Sequence, residues 1–133
     1  MSLEFLKKID LFNTLSDEAL AEVAGKLSRE EIPAGLLLTE RDIPMTCLYM
    51  VESGRIAAIE VNEEGAERTV AEFEAGDCFG EIPLLTGEPC SVTTKAIQDT
   101  VVLVLFKVNF DELLSRNPSL NRHCIELLSQ RLR

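Results

Sequence analysis

Glu81 follows a glycine and opens a short run, Glu81-Ile82-Pro83-Leu84-Leu85, long enough for one helical turn or slightly more. The start of such a turn directs free N–H groups and a partial positive charge outward, as an anion site requires. Gly80 permits close backbone approach. The Glu81 carboxylate can accept hydrogen bonds from a sugar hydroxyl. A short helix of this kind also serves as a plain connector between strands. The remaining reactive side chains offer less. Cys47, Cys78, Cys90 and Cys124 form no C-x-x-C pair, and His123 is the sole histidine. Zinc and iron–sulfur ligand spacing is therefore lacking, and the thiols are expected to be reduced and mostly buried. His123 reads as a polar helix-surface residue. Neither a metal nor a cofactor is expected, and a metal-dependent enzyme on a β-barrel would need several converging His and carboxylate ligands. The chain reads as non-enzymatic.

Something must position those residues, and 133 residues are enough to bury one core without disulfides or metals. The net charge is −10 and aromatic content is 5%. That balance excludes an autonomous nucleic-acid binder, which needs clustered Lys and Arg or a base-stacking platform. It also argues against direct contact with an acidic membrane surface. The longest apolar run, 101–106, is far too short to cross a bilayer. No secretory signal is visible after Lys7 and Lys8, and a cytoplasmic location is expected.

Helical period frames the chain. Ser16 reads as an N-cap with Asp17 and Glu18 in the positive first turn, and Leu15 with Leu20 as a hydrophobic staple. Leu20, Val23, Ala24 and Leu27 form one buried face. After Pro33 the pattern changes to short β-rich runs over 36–39, 47–51, 55–61, 68–73, 90–97 and 101–107. Gly54, Gly65, Gly76 and Gly87 stand 11 residues apart, the turn spacing of an all-β sandwich or barrel. The helical period returns over 111–116, and Asn117-Pro118 reads as the N-cap and first residue of a last helix. Leu120, Cys124, Leu127, Leu128 and Leu132 form its apolar stripe, which either seals the barrel or pairs with a second copy in a homodimer. The stripe runs to the end without a stop signal, so the chain is expected to be one module of a longer protein.

With those elements in place, the stretch 76–94 resembles the phosphate-binding cassette of cyclic nucleotide-binding domains. The family pattern is roughly F-G-E, two small or apolar residues, L-L, a few turn residues, then P-R-[SA]-A-T-V. This chain has Phe79-Gly80-Glu81, Leu84-Leu85, Thr86-Gly87-Glu88-Pro89, and Ser91 and Thr93 in register. Ile32-Pro33-Ala34-Gly35 looks like the family's entry to its first strand, and Leu48-Tyr49 to Ser53-Gly54-Arg55 like its next hairpin. The resemblance implies a mainly β fold with flanking helices (α+β): an eight-stranded double-stranded β-helix, or jelly-roll, barrel with an N-terminal helix and a C-terminal helix pair. It spans 1–133 as one domain, with a helical segment at about 1–31, the barrel at 32–108 and the terminal helices at 109–133.

The same resemblance implies a regulatory domain whose ligand is cAMP or cGMP, bound inside the barrel. Phe79, Gly80, Glu81, Ile82, Pro83, Cys90, Ser91 and Thr93 would be its cassette residues. Gly80 and Ile82 would offer backbone donors, Glu81 would hold the ribose 2′-hydroxyl, and Ser91 would contact phosphate. Ligand binding would move the C-terminal helix against an attached or partner effector. Two positions depart from the pattern. Cys90 stands where the family has its phosphate-binding arginine, and Pro83 has no N–H to donate. A buried phosphate without its cation costs about 3–5 kcal/mol, which is about two to four orders of magnitude in affinity. Weakened binding is therefore expected, with Arg41, Arg55 and Arg68 as through-space substitutes and Lys95 on the opposite strand face. The alternative is a degenerate domain of the same fold, acting as an interaction or dimerisation module or sensing another ligand. Residues 60–88 hold nine acids against Arg68 alone, which places acid around the cassette.

Overall fold

The computed structural model describes residues 3–131, apart from the side chains of Leu128 and Arg131. The elements are α1 (Leu3–Lys7), a 3-10 turn (Asp10–Phe12), α2 (Asp17–Lys26), β1 (Ser28–Ile32), β2 (Leu37–Thr39), β3 (Cys47–Ser53), β4 (Arg55–Val61) and β5 (Glu67–Glu74). They continue through β6 (Cys78–Phe79), α3 (Glu81–Thr86), β7 (Thr93–Ala96), β8 (Thr100–Phe106), α4 (Lys107–Arg116) and α5 (Pro118–Arg131). Eight strands form two four-stranded sheets, ordered β1-β8-β3-β6 and β2-β7-β4-β5, and every pairing is antiparallel. This is the jelly roll expected from the cassette, with helices before and after it.

Strands β3 and β8 explain how the layers hold together. Each is a nearly unbroken apolar run, and alternation of side chains across a strand sends its residues to two different cores. Leu48 and Met50 of β3, with Leu103 and Leu105 of β8, pack beneath the helices against Phe12, Leu20, Phe110 and Leu120. Cys47, Val51, Val102 and Val104 point the other way, into the barrel, with Ile56 and Phe79. The first sheet is thus a wall between a helical core and a barrel interior.

Local signals at the N-terminus behave as their chemistry dictates. Ser16 Oγ accepts from the Ala19 amide at 3.1 Å, and Leu15 and Leu20 are both buried in the helical core. Leu27 does not continue the helix; it is the extended C-cap residue. Strand pairing begins at Ser28, ahead of the change in period at Pro33, because β1 hydrogen-bonds to β8 with largely exposed side chains. The run 90–97 becomes a strand only from Thr93, and the helix expected at 111–116 starts at Lys107. On α5, Leu120 and Cys124 are buried in the helical core and Leu127 packs against it. The described part of the stripe therefore seals the domain; Leu132 lies outside the described residues and nothing is said of the Leu128 side chain.

The four regularly spaced glycines all have positive φ and all stand in connections between elements. Gly54 is the most constrained, because a Cβ there would meet Thr100 Oγ1 and would lie 2.6 Å from the Asp99 carbonyl oxygen.

Candidate functional site

Between the barrel and α3 lies a cavity of about 330 Å³. Gly80 caps α3 in the left-handed conformation, with φ 95°. A Cβ at Gly80 would sit 2.5 Å from Met45 Cε, so the glycine turns the chain sharply and lets it lie against the 45–47 segment. Glu81 is the first residue of α3, 5% exposed, and lines the cavity. Pro83 is the third residue. Its missing N–H falls among the first-turn donors that lack intrahelical partners, so α3 loses nothing by it. Its carbonyl accepts from the Gly87 amide at 2.9 Å, which closes the helix.

Opposite α3, the 89–94 segment forms the second wall. Cys90 is buried, and its backbone is clamped to the preceding loop. The Cys90 amide donates to the Ile43 carbonyl at 3.2 Å, and the Asp42 amide donates to the Cys90 carbonyl at 2.9 Å. Burial pushes the Cys90 thiol above its ordinary pKa, against a lowering by its hydrogen bond to Thr39. The thiol is therefore protonated and neutral near pH 7, and supplies neither a cation nor a thiolate. Strand alternation then separates Thr93 from Thr94. Thr94 is buried, lines the cavity and shares a 2.7 Å hydroxyl–hydroxyl hydrogen bond with Thr39. Thr93 Oγ1 instead accepts from the Arg41 amide at 3.1 Å and ties the wall to the neighbouring loop.

Of the eight cassette residues expected from sequence, Phe79, Gly80, Glu81, Ile82, Pro83, Cys90 and Ser91 line this one cavity, while Thr93 does not. Sequence reasoning missed Thr39, Met45 and Phe73, and within the cassette stretch it singled out neither Val92 nor Thr94. Alternation along β7 dictates that one of Thr93 and Thr94 faces inward but not which one; Thr39, Met45 and Phe73 come from distant elements and carry no local signal. Phe73 and Phe79 stack at 4.8 Å between ring centroids, and Tyr49 and Phe79 at 5.1 Å.

The charges are distributed less simply than the sequence implies. Arg55 pairs with Glu72 and Glu74, Arg68 with Glu60, Lys95 with Glu67 and Arg41 with Asp42. Most of the acidic run is therefore an exposed hairpin partly neutralised on its own surface. Only Glu81 and Glu88 bring carboxylates to the cavity wall, and no lysine or arginine is among its described lining residues. Arg41 and Arg68 line a separate groove, which Ser91 also borders.

A second cleft adjoins the cavity. Phe73 and Glu81 line both, and on its far side the cleft is lined by Leu127 and Gln130 of α5 and by Lys8 and Asp10 of the N-terminal segment. His123 Nε2 lies 2.6 Å from the Asp10 carbonyl oxygen, so α5 is also latched to that segment.

The chain is thus a β-jelly roll with a capped helical turn over a half-open cavity. The chain belongs to the cyclic nucleotide-binding domain family, whose profile matches residues 29–117. It is 30% identical over 128 residues to the cyclic AMP receptor protein of Thermus thermophilus, covering 96% of this chain and 59% of that one. It is 31% identical over 110 residues to a cAMP-dependent protein kinase regulatory subunit of Emericella nidulans, covering 83% of this chain and 26% of the relative. The crystal structure of the Thermus thermophilus catabolite activator protein superposes with a TM-score of 0.84 at 31% identity, over 93% of this chain and 58% of that one. The chain thus spans well under two thirds of these relatives. Among the described residues no helix is long and apolar enough to cross a membrane.

Proposed function

We propose that this domain is a non-catalytic regulatory switch: a cyclic nucleotide, cAMP or cGMP, enters the cavity under α3, and its occupancy repositions α5 against an attached or partner effector. The observation that carries the reading is the shared wall. Glu81 and Phe73 face the cavity on one side and the cleft beneath α5 on the other. A ligand that moves either side chain reshapes the cleft that Leu127 and Gln130 line, and through it bears on the position of α5. Such coupling needs only a difference in ligand affinity between two arrangements of the helix. The relatives named as a cyclic AMP receptor and as cAMP-dependent kinase regulatory subunits support the ligand class.

Affinity for the cyclic phosphate is weak in this reading. Gly80 and Ile82 remain to offer backbone N–H groups, but Pro83 offers none and Cys90 supplies no charge. A bidentate guanidinium contributes both geometry and charge that a thiol lacks. Titration calorimetry with cAMP and cGMP tests this directly. The expected result is binding no tighter than micromolar in the wild type and a gain of about two to four orders of magnitude in Cys90→Arg. Nanomolar binding by the wild type would sink the weakened-site reading. Silence in both proteins would favour the alternative, a domain of the same fold used for protein interaction or dimerisation.

A further inference from the structure

A cyclic nucleotide carries a negative charge, and no lysine or arginine is among the described residues that line the cavity. Charge compensation is therefore left to the rim, where the cations are committed to very different degrees. Lys95 follows Thr94 on β7, so alternation turns it to the outer face, where it pairs with Glu67 at 3.5 Å. Arg55 is held by Glu72 and Glu74 at 3.4 and 3.0 Å, and Arg68 by Glu60 at 2.9 Å. Arg41 has the loosest of these pairs, with its sequence neighbour Asp42 at 4.0 Å, and both side chains are mostly exposed. A pair of that kind contributes little, so drawing the guanidinium away from it costs little.

The backbone of Arg41, by contrast, is fixed against the cavity wall. Its amide donates to Thr93 Oγ1 at 3.1 Å, the Asp42 amide to the Cys90 carbonyl at 2.9 Å, and the Cys90 amide to the Ile43 carbonyl at 3.2 Å. Residues 43 to 41 thus run antiparallel beside 90 to 93. Asp42 has φ 69° and is the sole non-glycine residue with positive φ among the described residues. Aspartate tolerates that conformation better than most residues, and the bond from its amide to Cys90 secures the turn from which Arg41 projects. Arg41 and Ser91 line one groove, and Ser91 lines the cavity as well.

We infer that Arg41 is the residue that meets the phosphate of a bound cyclic nucleotide, reaching past Ser91 by a change of side-chain rotamer on a fixed backbone. This rests on the reading that a cyclic nucleotide occupies the cavity, and it names the residue that sets affinity there. Arg41 exchanges a loose ion pair with Asp42 for charge-assisted hydrogen bonds to phosphate. The contact forms at an exposed rim, so salt screens it, and ordering a long side chain offsets part of the gain. Arg41 thus compensates in part for the missing charge at position 90, and affinity stays weak. The phosphate is common to cAMP and cGMP, so the contribution is independent of the base.

The test is titration calorimetry with cAMP and cGMP, at low and high salt, on the wild type, Arg41→Ala, Arg41→Lys, Cys90→Arg and the double variant of Arg41→Ala with Cys90→Arg. Arg41→Ala should raise Kd about tenfold for both ligands and flatten the salt dependence. Arg41→Lys keeps the charge but not the planar fork, and should fall between. In the Cys90→Arg background, Arg41→Ala should change Kd by less than about twofold, because the two guanidinium groups serve one phosphate and their effects do not add. A purely structural role for Arg41 gives the same loss in both backgrounds, and that result overturns the assignment. So does wild-type affinity in Arg41→Ala, or a loss seen in Arg68→Ala instead, from the same groove. A silent wild type beside a Cys90→Arg protein that binds also overturns it, while leaving the cavity as the ligand site. If none of the proteins binds either ligand, the assignment and the regulatory reading fall together.

Discussion

The two sheets of this domain make unequal contributions. The first, β1-β8-β3-β6, has its central strands buried on both faces, with helices on one side and the barrel interior on the other. The second, β2-β7-β4-β5, ends in β5, whose residues are exposed apart from the half-buried Phe73. Glu67, Arg68, Glu72 and Glu74 on that edge pair with neighbouring strands and blunt it against edge-to-edge association. The contrast teaches that the helical core and the candidate ligand cavity lie on opposite sides of the first sheet. The first sheet packs against the helices, whereas the second sheet buries Ile56 and Ala96 in the barrel and, with α3 and Phe79, walls the cavity.

Substitutions in the helical core should break that contrast most visibly. Phe110 is fully buried, so Phe110→Ala should remove about 3–5 kcal/mol of unfolding free energy, read as a lowered urea midpoint. A loss below 1 kcal/mol would mean that the helical layer does not carry the fold.

Cys124 sharpens the same point through pH. Burial raises its thiol to about 11, whereas an unfolded cysteine ionises near about 8.5. The folded state therefore keeps its proton where the unfolded state loses it. The stability linked to Cys124 is complete below the unfolded value and declines as pH rises toward the folded one. By pH 10.5, about two units above the unfolded value, the decline amounts to about 2–3 kcal/mol. Urea melts from pH 7 to pH 10.5 should fall more steeply for the wild type than for Cys124→Ala. Burial shifts Cys47 and Cys90 in the same direction, so a residual slope remains in the variant.

Ser16→Ala deletes the cap of α2 and should cost about 1 kcal/mol, measurable as a few degrees in melting temperature with no change in ligand affinity. Smallest of all is Arg68→Ala on the acidic hairpin. Its pair with Glu60 is exposed, so the change should stay within about 1 kcal/mol and diminish further at high salt. A larger loss would show that the second sheet is structural after all.

Sequence legibility followed the same division. The capped start of α2, the runs that became β3, β4 and β8, and the glycine turns were readable because each depends on neighbours within a few residues. Strand β1 was missed because its polar sequence, Ser28 to Ile32, carries no alternation; pairing with β8 makes it a strand. Strand β6 has two residues, Cys78 and Phe79, too few for any period. Thr93 and Thr94 are adjacent in sequence, yet only the register of β7 decides which one lines the cavity.

The sequence by itself determined the family, the succession of helix, barrel and terminal helices, and the absence of an arginine at position 90. Those properties are written in residue types and short spacings. Tertiary structure alone decided that no cation from elsewhere enters the described cavity lining, that Glu81 is buried there, and that the acids of the hairpin largely face solvent and their own cations. The physical reason is that a site's electrostatics depend on distance and burial, which join residues far apart in the chain. Net charge, summed along the sequence, contains neither.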